Sequence, residues 1–248
     1  MRANYKMQRL FINAPLKQDA ELVLSEQHVH YLIRVLRKTD GAQVLVFNGY
    51  DGEFVAELFN ISKKTASIRL ISQEREQPNK SNIIYCFAPL KHARLDYMVQ
   101  KAVEMGVGVL QPVLTQYTQV TKLNSERIIA NSVEAAEQCG ILSIPNYNEP
   151  LSLEQLLQNW DITTPLIFCD ETEESNNPLP VLKNLEKGYN KTVCGLLIGP
   201  EGGFSDNERK LLRSFSFVKA IPLGPRILRA DTAAVAALAL IGATLGDW

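Results

Sequence analysis

The chain has 248 residues, 46% of them hydrophobic and 21% charged, with a formal net charge of −1. That is an ordinary globular composition with room for one large domain or two smaller ones, and it argues against indiscriminate binding of nucleic acid by overall charge. No apolar run is long enough to span a membrane, and MRANYKMQRLFINAPL at the N-terminus lacks a signal-peptide core. Cys86, Cys139, Cys169 and Cys194 are widely spaced and form no metal-ligand set with His28, His30 and His92. The expectation is a cytoplasmic protein, with no membrane segment and no metal, whose cysteines are small buried residues in a reducing compartment.

The first eighty residues read as short alternating segments: QRLFIN, AELVLS, AQVLVFNG, GEFVAELFNIS and TASIRLIS. Period-two patterning broken by Gly, Asn and Lys-Lys turns predicts strands, with FNGYDGEF as a hairpin connection. One helix interrupts them, SEQHVHYLIRVLRKTDG, starting at Ser25 and stopping by Gly41. Its His30, Arg34 and Arg37 stand at i, i+4 and i+7, which on an α-helix is one face. A basic stripe beside Tyr31 suits an RNA backbone, although such a face is more often merely solvated. Residues 1–80 carry 12 Lys and Arg against 9 acids and residues 81–248 carry 14 against 18, so a polyanion contact starts in the N-terminal part. QEREQPNKSN (73–82) is polar, holds a proline and reads as a linker. The expected organisation is a small β-barrel over 1–75 and a second domain over 82–248.

Beyond the linker, continuous apolar runs alternate with helical segments. NIIYCFAPL, VGVLQPVLT, PLIFCDE, TVCGLLIGP and FVKAIPLGP predict strands buried on both faces. Helices are expected at RLDYMVQKAVEMG, SERIIANSVEAAEQCG, near 178–187, at SDNERKLLRSFS, and from Asp231 or Thr232 onward. This is an α/β domain with a parallel sheet, in which ligands bind beyond the carboxyl ends of the strands. Three such ends stand out: FCDE, IGPEGG and LGPR.

LLIGPEGGFSDNE (196–208) is a buried strand, a tight glycine turn and a helix start with a Ser205–Glu208 capping box. It lacks the spacing of a P-loop or of a dinucleotide fingerprint, and Glu201 stands where a phosphate would sit. A nucleotide-derived ligand without phosphates fits better than a phosphate, and a plain βα turn fits equally. LGPRILRADTA (223–233) repeats the logic, with Asp231 as a helix cap. The odd feature is the pair Arg226 and Arg229 at the entrance to an Ala-rich helix. LKHARLD sets Lys91, His92 and Arg94 at another strand-to-helix junction, and the Lys101/Glu104 pair that follows reads as a solvated helix salt bridge.

Together, LLIGPEGGFSDNE and LGPRILRADTA closely resemble the signature of the RsmE family, S-adenosylmethionine-dependent methyltransferases of the SPOUT class that act on N3 of one uridine in 16S ribosomal RNA. HYLIRVLRKTDGAQVLVFNG resembles the family's PUA-like RNA-binding barrel, and VQKAVEMGV and EAAEQCG resemble two motifs of its catalytic domain. The resemblance spans nearly the whole chain. It implies a trefoil knot near 193–248, a homodimer, and a cofactor held by Phe168, Cys169, Leu197, Gly199, Pro200, Glu201, Gly202, Gly203, Leu223, Gly224, Leu228 and Arg229. Catalytic roles fall to Arg229, Glu201 and Asp231, with an arginine stabilising the uracil anion and a carboxylate taking its proton or orienting the arginine. Ile227 and Leu228 are expected to pack against cofactor and core. RNA contacts fall to Arg9, His30, Arg34, Arg37, Lys38, Lys91 and Arg226. The chain departs from the family in having Asp231 where glutamate is frequent, and Ile141 and Ser143 where arginines often follow the EQ pair. The alternatives are a sister SPOUT enzyme with another RNA target, an RNA-binding protein without catalysis, and a Rossmann-type nucleotide enzyme; against the last, FAPLKHARLD has no glycine loop.

Overall fold

The computed structural model of the chain describes residues 7–173, 175–188 and 193–246. It divides into two compact units, Met1–Asn79 with Val133–Ile144, and Lys80–Ser132 with Pro145–Trp248.

The first unit is built on a five-stranded sheet. Its strands are β1 (Arg9–Phe11), β2 (Glu21–Val23), β3 (Gln43–Phe47), β4 (Glu53–Phe59) and β5 (Ser67–Arg75), in the order β1-β3-β4-β5-β2. β1 runs parallel to β3 and the remaining pairs are antiparallel. Leu10, Val44, Val46, Phe54, Ala56, Leu58, Ile68 and Leu70 form its core. Helix α1 (Glu26–Val29) is capped by Ser25, whose hydroxyl accepts the His28 amide at 3.2 Å. It passes at once into a π-helical turn, His30–Val35, in which the Leu36 amide reaches back to the Tyr31 carbonyl. Arg37 then takes a left-handed conformation, φ 55°. The helix is therefore shorter than its pattern predicts. The wider turn breaks the 3.6-residue period, so His30, Arg34 and Arg37 do not form one α-helical face.

Leu45 and Phe47, on the opposite face of β3, are fully buried as well. There the last turn of a later helix, α3 (Ser125–Cys139), packs in the same unit. Arg9 donates to Glu53 at 2.7 Å and to the carbonyls of Ala136, Glu137 and Ile141 at 2.6, 2.9 and 3.1 Å. Arg75 donates to the same carboxylate at 2.7 Å and to the Gly140 carbonyl at 2.9 Å. Two cations thus bind carbonyls at and just beyond the end of α3, where the helix dipole favours positive charge. Burial opposes ionisation of Glu53, but Arg75 and Arg9 outweigh it and hold the carboxyl below its usual range. The polar stretch read as a linker thus begins inside β5, and Arg75 is there to pair rather than to be solvated.

The second unit carries the parallel sheet. Its strands are β6 (Asn82–Phe87), β7 (Val109–Leu114), β8 (Asn146–Tyr147), β9 (Leu151–Ser152), β10 (Leu166–Cys169), β11 (Val193–Ile198) and β12 (Val218–Ile221). They are ordered β12-β10-β11-β6-β7-β8, with β9 beside β7, and every pair is parallel. Helices cover both faces. α2 (His92–Glu104), α5 (Leu179–Gly188) and α7 (Ala230–Thr244) share one core with Tyr85, Phe87, Leu110 and Leu196. α4 (Leu153–Gln158) and α6 (Asp206–Arg213) share the other with Cys86, Val113, Phe168 and Leu197. α4, β8 and β9 are too short to leave a periodic signature. After β11 the chain passes to β12 beyond β10, and α7 then returns to pack on α2 and β11. Its buried Ala233, Ala234 and Ala237 permit that close approach. Among the described residues no helix is long and apolar enough to cross a membrane. Cys86 and Cys194 are buried, as expected; Cys139 is exposed and Cys169 half-buried, because the former sits in the last turn of α3 and the latter at a strand end.

Candidate functional site

β10, β11 and β12 are neighbours and parallel, so their carboxyl ends open side by side. The segments leaving them enclose one cleft of about 600 Å³, in the range of sites for small organic ligands. Cys169 to Glu171 supply one wall, Gly199 to Phe204 the second, and Pro222 to Ala230 the third. Two glycines shape it. Gly203 has φ +68°, closes the turn by donating its amide N–H to the Pro200 carbonyl at 2.9 Å, and would place a Cβ 2.7 Å from Glu171 Oε1. Gly224 has φ +88° and a Cβ there would meet nothing within 4 Å, so it borders open space.

Helix starts fix the loops. Ser205 and Glu208 form the expected capping box on α6. Asp170, 2% exposed, ends β10; its carboxylate accepts the Thr172 amide and hydroxyl and bonds Arg213 and Arg209 of α6. Burial opposes its ionisation, yet those partners together hold its carboxyl below the usual range. Glu171 pairs with Arg209 at 2.9 Å. Burial, then the Asp170 charge, push the Cys169 thiol up, which disfavours the thiolate form a nucleophile needs.

Of the residues predicted to hold a ligand, Cys169, Gly199, Pro200, Glu201, Gly202, Gly203, Leu223, Gly224, Leu228 and Arg229 line the cleft. Phe168 and Leu197 do not. They are paired across β10 and β11, both 0% exposed, with side chains in the core on the α4/α6 face. Glu201 forms an ion pair with Arg94 of α2, which also lines the cleft. Arg226 and Arg229 are exposed, line the cleft and form no ion pair among the described residues. Leu228 packs on the core as expected, whereas Ile227 is 90% exposed and does not.

Asp231 is not the cap of the last helix. The helix begins at Ala230, ahead of the expected start at Asp231 or Thr232, with Arg229, two residues before Asp231, in the cap position and no side-chain cap bond. Asp231 lies in the first turn, accepts the Thr232 amide at 2.9 Å, does not line the cleft and pairs with neither arginine among the described residues.

The predicted RNA contacts divide in two. His30, Arg34 and Arg37 are exposed and Lys38 half-buried on the first unit, with the Arg34 guanidinium donating to the Lys63 carbonyl at 3.4 Å. Tyr31, Val35 and Leu36 are exposed around them. Arg9 is not available: it is 4% exposed, and its Nε, Nη1 and Nη2 donate to Glu53 and to carbonyls at and beyond the end of α3, so it meets no phosphate. Lys91 is exposed at the cap position of α2. Ile141 and Ser143, the expected departures from the family pattern, offer a carbonyl to Arg9 and a hydroxyl to Gln77. Lys101 and Glu104 pair at 2.7 Å as predicted.

The charged lining residues that the sequence did not assign to the site are Arg94, Asp170, Glu171 and Glu173. FCDE marked Asp170 and Glu171 by position but stopped short of Glu173, and nothing in the pattern marked Arg94 as the partner of Glu201.

The family described as RNA methyltransferase domain matches residues 76–242, and the one described as RNA methyltransferase PUA domain matches 24–71. Ribosomal RNA small subunit methyltransferase E of Rickettsia conorii is 31% identical over 95% of each chain, and that of Bacillus subtilis 29% identical over 95% of this chain and 96% of its own. A Legionella pneumophila structure described as a methyltransferase with bound SAM superposes with a TM-score of 0.80 at 29% identity, over 96% of this chain and 97% of its own. A Neisseria gonorrhoeae ribosomal RNA small subunit methyltransferase E has a TM-score of 0.86 at 22% identity, over 98% and 99%, and speaks for the fold.

Proposed function

Since the chain belongs to the family of ribosomal RNA small subunit methyltransferase E, a PUA unit joined to a SPOUT-type methyltransferase domain, we propose that it transfers the methyl group of S-adenosylmethionine to N3 of one uridine in 16S ribosomal RNA. The observation that carries this reading is the cleft where the walls after β10, β11 and β12 converge. Its residues fit the cofactor. Gly203 and Gly224 carry no side chain at two points of the walls, Leu223 and Leu228 offer apolar surface, and Glu171 and Glu201 offer carboxylates to a ligand that carries cationic and hydroxyl groups. When bound there, S-adenosylmethionine supplies an activated methyl group on a sulfonium.

The protein's own work is to align uracil N3 and to manage its proton. N3 is protonated near neutral pH, so negative charge develops on the uracil as the proton leaves. Arg229 is the residue placed to stabilise it: exposed on the cleft wall and free of an ion pair among the described residues. Glu201, on the same wall and fixed by Arg94, is the carboxylate that takes the proton or orients the arginine. Asp231 has the weaker claim, being outside the cleft and bound to a backbone amide. Incubating small ribosomal subunits that lack the modification with labelled S-adenosylmethionine tests the reading. Label on one uridine N3 is expected; label on another atom would point to a sister activity, and no label to a binding protein without catalysis.

The first unit is the source of RNA affinity through Arg34, Arg37, Lys38 and His30. Arg34→Ala with Arg37→Ala is expected to weaken RNA binding and to lower the slope of log affinity against log salt by about two phosphate contacts. An unchanged slope would make the patch a solvated surface. The protein acts in the cytoplasm as a homodimer. Ile227, 90% exposed beside the cleft, and the small outer residues of α7 suit coverage by a second copy. Light scattering is expected to give twice the 27.7 kDa chain mass at micromolar concentration, and a monomer there would refute it.

A further inference from the structure

On the other side of the glycine loop lies a second, shallower cleft. Pro200, Glu201 and Gly202 line both. Its opposite wall is Tyr117 and Gln119, from the turn after β7, and Lys91 from the start of α2. It encloses only about 20 Å³, so what it offers a ligand is a face to lie on rather than an enclosed pocket.

Tyr117 is 46% exposed, and exposed aromatics are usually mobile. This one is on a turn held from several sides. The Thr118 amide donates to the Thr115 carbonyl at 3.1 Å, the Thr115 amide donates to the Thr118 hydroxyl at 2.9 Å, and the two hydroxyls bond each other at 2.9 Å. The Gln116 amide donates to Glu208 Oε1 at 2.7 Å, while Glu208 Oε2 accepts the Ser205 amide at 2.8 Å. One buried carboxylate therefore ties the tyrosine's turn to the helix that follows the glycine loop. The turn also packs on that loop, since a Cβ on Gly202 would lie 3.2 Å from the Tyr117 Cβ. The ring is presented to solvent on a rigid mount, the arrangement that lowers the entropic cost of binding.

We propose that Tyr117 is the stacking platform for the target pyrimidine, with the Gln119 amide and the Lys91 ammonium for its polar edge. This rests on the reading of the chain as an RNA methyltransferase. A flipped base needs a flat face to replace its lost stacking neighbours and polar groups for its exposed edge. Uracil presents two carbonyl acceptors, to which the N–H groups of a glutamine amide and of a lysine ammonium donate, and one N–H donor at N3, which is left to Glu201 of the shared loop. Pro200, Glu201 and Gly202 line both clefts, so a base stacked on Tyr117 borders the cofactor cleft, with Glu201 common to the two. An RNA strand that kept its base stacked would have no use for this wall.

The test compares full-length wild type, Tyr117→Ala and Tyr117→Phe for single-turnover methyl transfer to unmodified small subunits, for S-adenosylmethionine affinity by calorimetry, and for photocrosslinking to rRNA carrying 5-iodouridine. Base–aromatic stacking implies that Tyr117→Ala slows transfer on the order of 10- to 100-fold. Tyr117→Phe is expected to stay near wild type, cofactor affinity to be unchanged in both, and the wild-type crosslink to map to Tyr117. Transfer by Tyr117→Ala at the wild-type rate overturns the proposal. So does an equal loss in Tyr117→Phe, which would make the hydroxyl the active group, or a parallel loss of cofactor affinity, which would make the residue a support for the glycine loop. If wild type transfers no methyl, it is the functional reading that fails. The crosslink then decides the proposal alone: one at Tyr117 sustains a uracil platform, and one elsewhere removes it.

Discussion

Replacing Arg229 by alanine is expected to slow single-turnover methyl transfer on the order of 10²–10³-fold, the range for losing one group that meets charge mainly in the transition state. Cofactor affinity should change far less. The position of this arginine supports the expectation. It occupies the cap of α7, where four amides lack helix partners and the macrodipole is positive, so a cation there is locally unfavourable. Asp231 in the first turn offsets part of that cost by accepting the Thr232 amide, but it does not pair with the arginine among the described residues. A local rule broken without a structural partner marks a functional position. The same geometry makes sense if an anion forms in front of it, because the helix terminus and the guanidinium then act in the same direction. Arg226, three residues earlier and exposed, has no helix start to reinforce it, and Arg226→Ala is expected mainly to weaken RNA binding or dimerisation. Wild-type transfer by Arg229→Ala under saturating RNA would make the pair structural.

The second large effect is on the cofactor. Gly203→Val is expected to weaken S-adenosylmethionine binding on the order of 10- to 100-fold, from the cost of holding a branched residue at φ +68°. Its Cβ would also meet Glu171 Oε1 at 2.7 Å, so the carboxylate has to leave its place beside Arg209 or the loop has to shift. Either change moves a cleft wall. Calorimetry checks this directly, and an unchanged affinity in a folded variant would remove the glycine loop from the cofactor site.

The strands of the second unit were legible because burial on both faces leaves continuous apolar runs, and the three strand ends were legible because glycine and proline terminate those runs. Side-chain direction was not. FCDE and LLIGP marked the correct strands, but the alternation that sends Cys169 to the cleft and Phe168 to the opposite core is set by sheet register, which a run apolar on both faces conceals. The two-residue displacement of the cap from Asp231 to Arg229 has a related cause. A capping acid and a first-turn acid look alike in sequence, and here the helix starts earlier without a side-chain cap. Arg9 shows the limit of charge patterning: an arginine near a basic terminus reads as surface, whereas Glu53 and the open carbonyls of α3 give it an interior place. Those partners are 44 and 127 residues away, and no local pattern reports them. The π-helical turn at His30–Val35 was hidden for the opposite reason, since its spacing matches an α-helix well enough to suggest one.

The central claim is that this chain methylates N3 of one uridine in 16S ribosomal RNA. Mass spectrometry of that RNA from cells lacking the protein, with and without the gene restored, tests it most directly. The account predicts that a single N3-methyluridine disappears in the deletion, returns with the wild-type gene and does not return with Gly203→Val. A full set of methylated uridines in the deletion strain, with the loss of a methyl group from another nucleotide or from none, would contradict it.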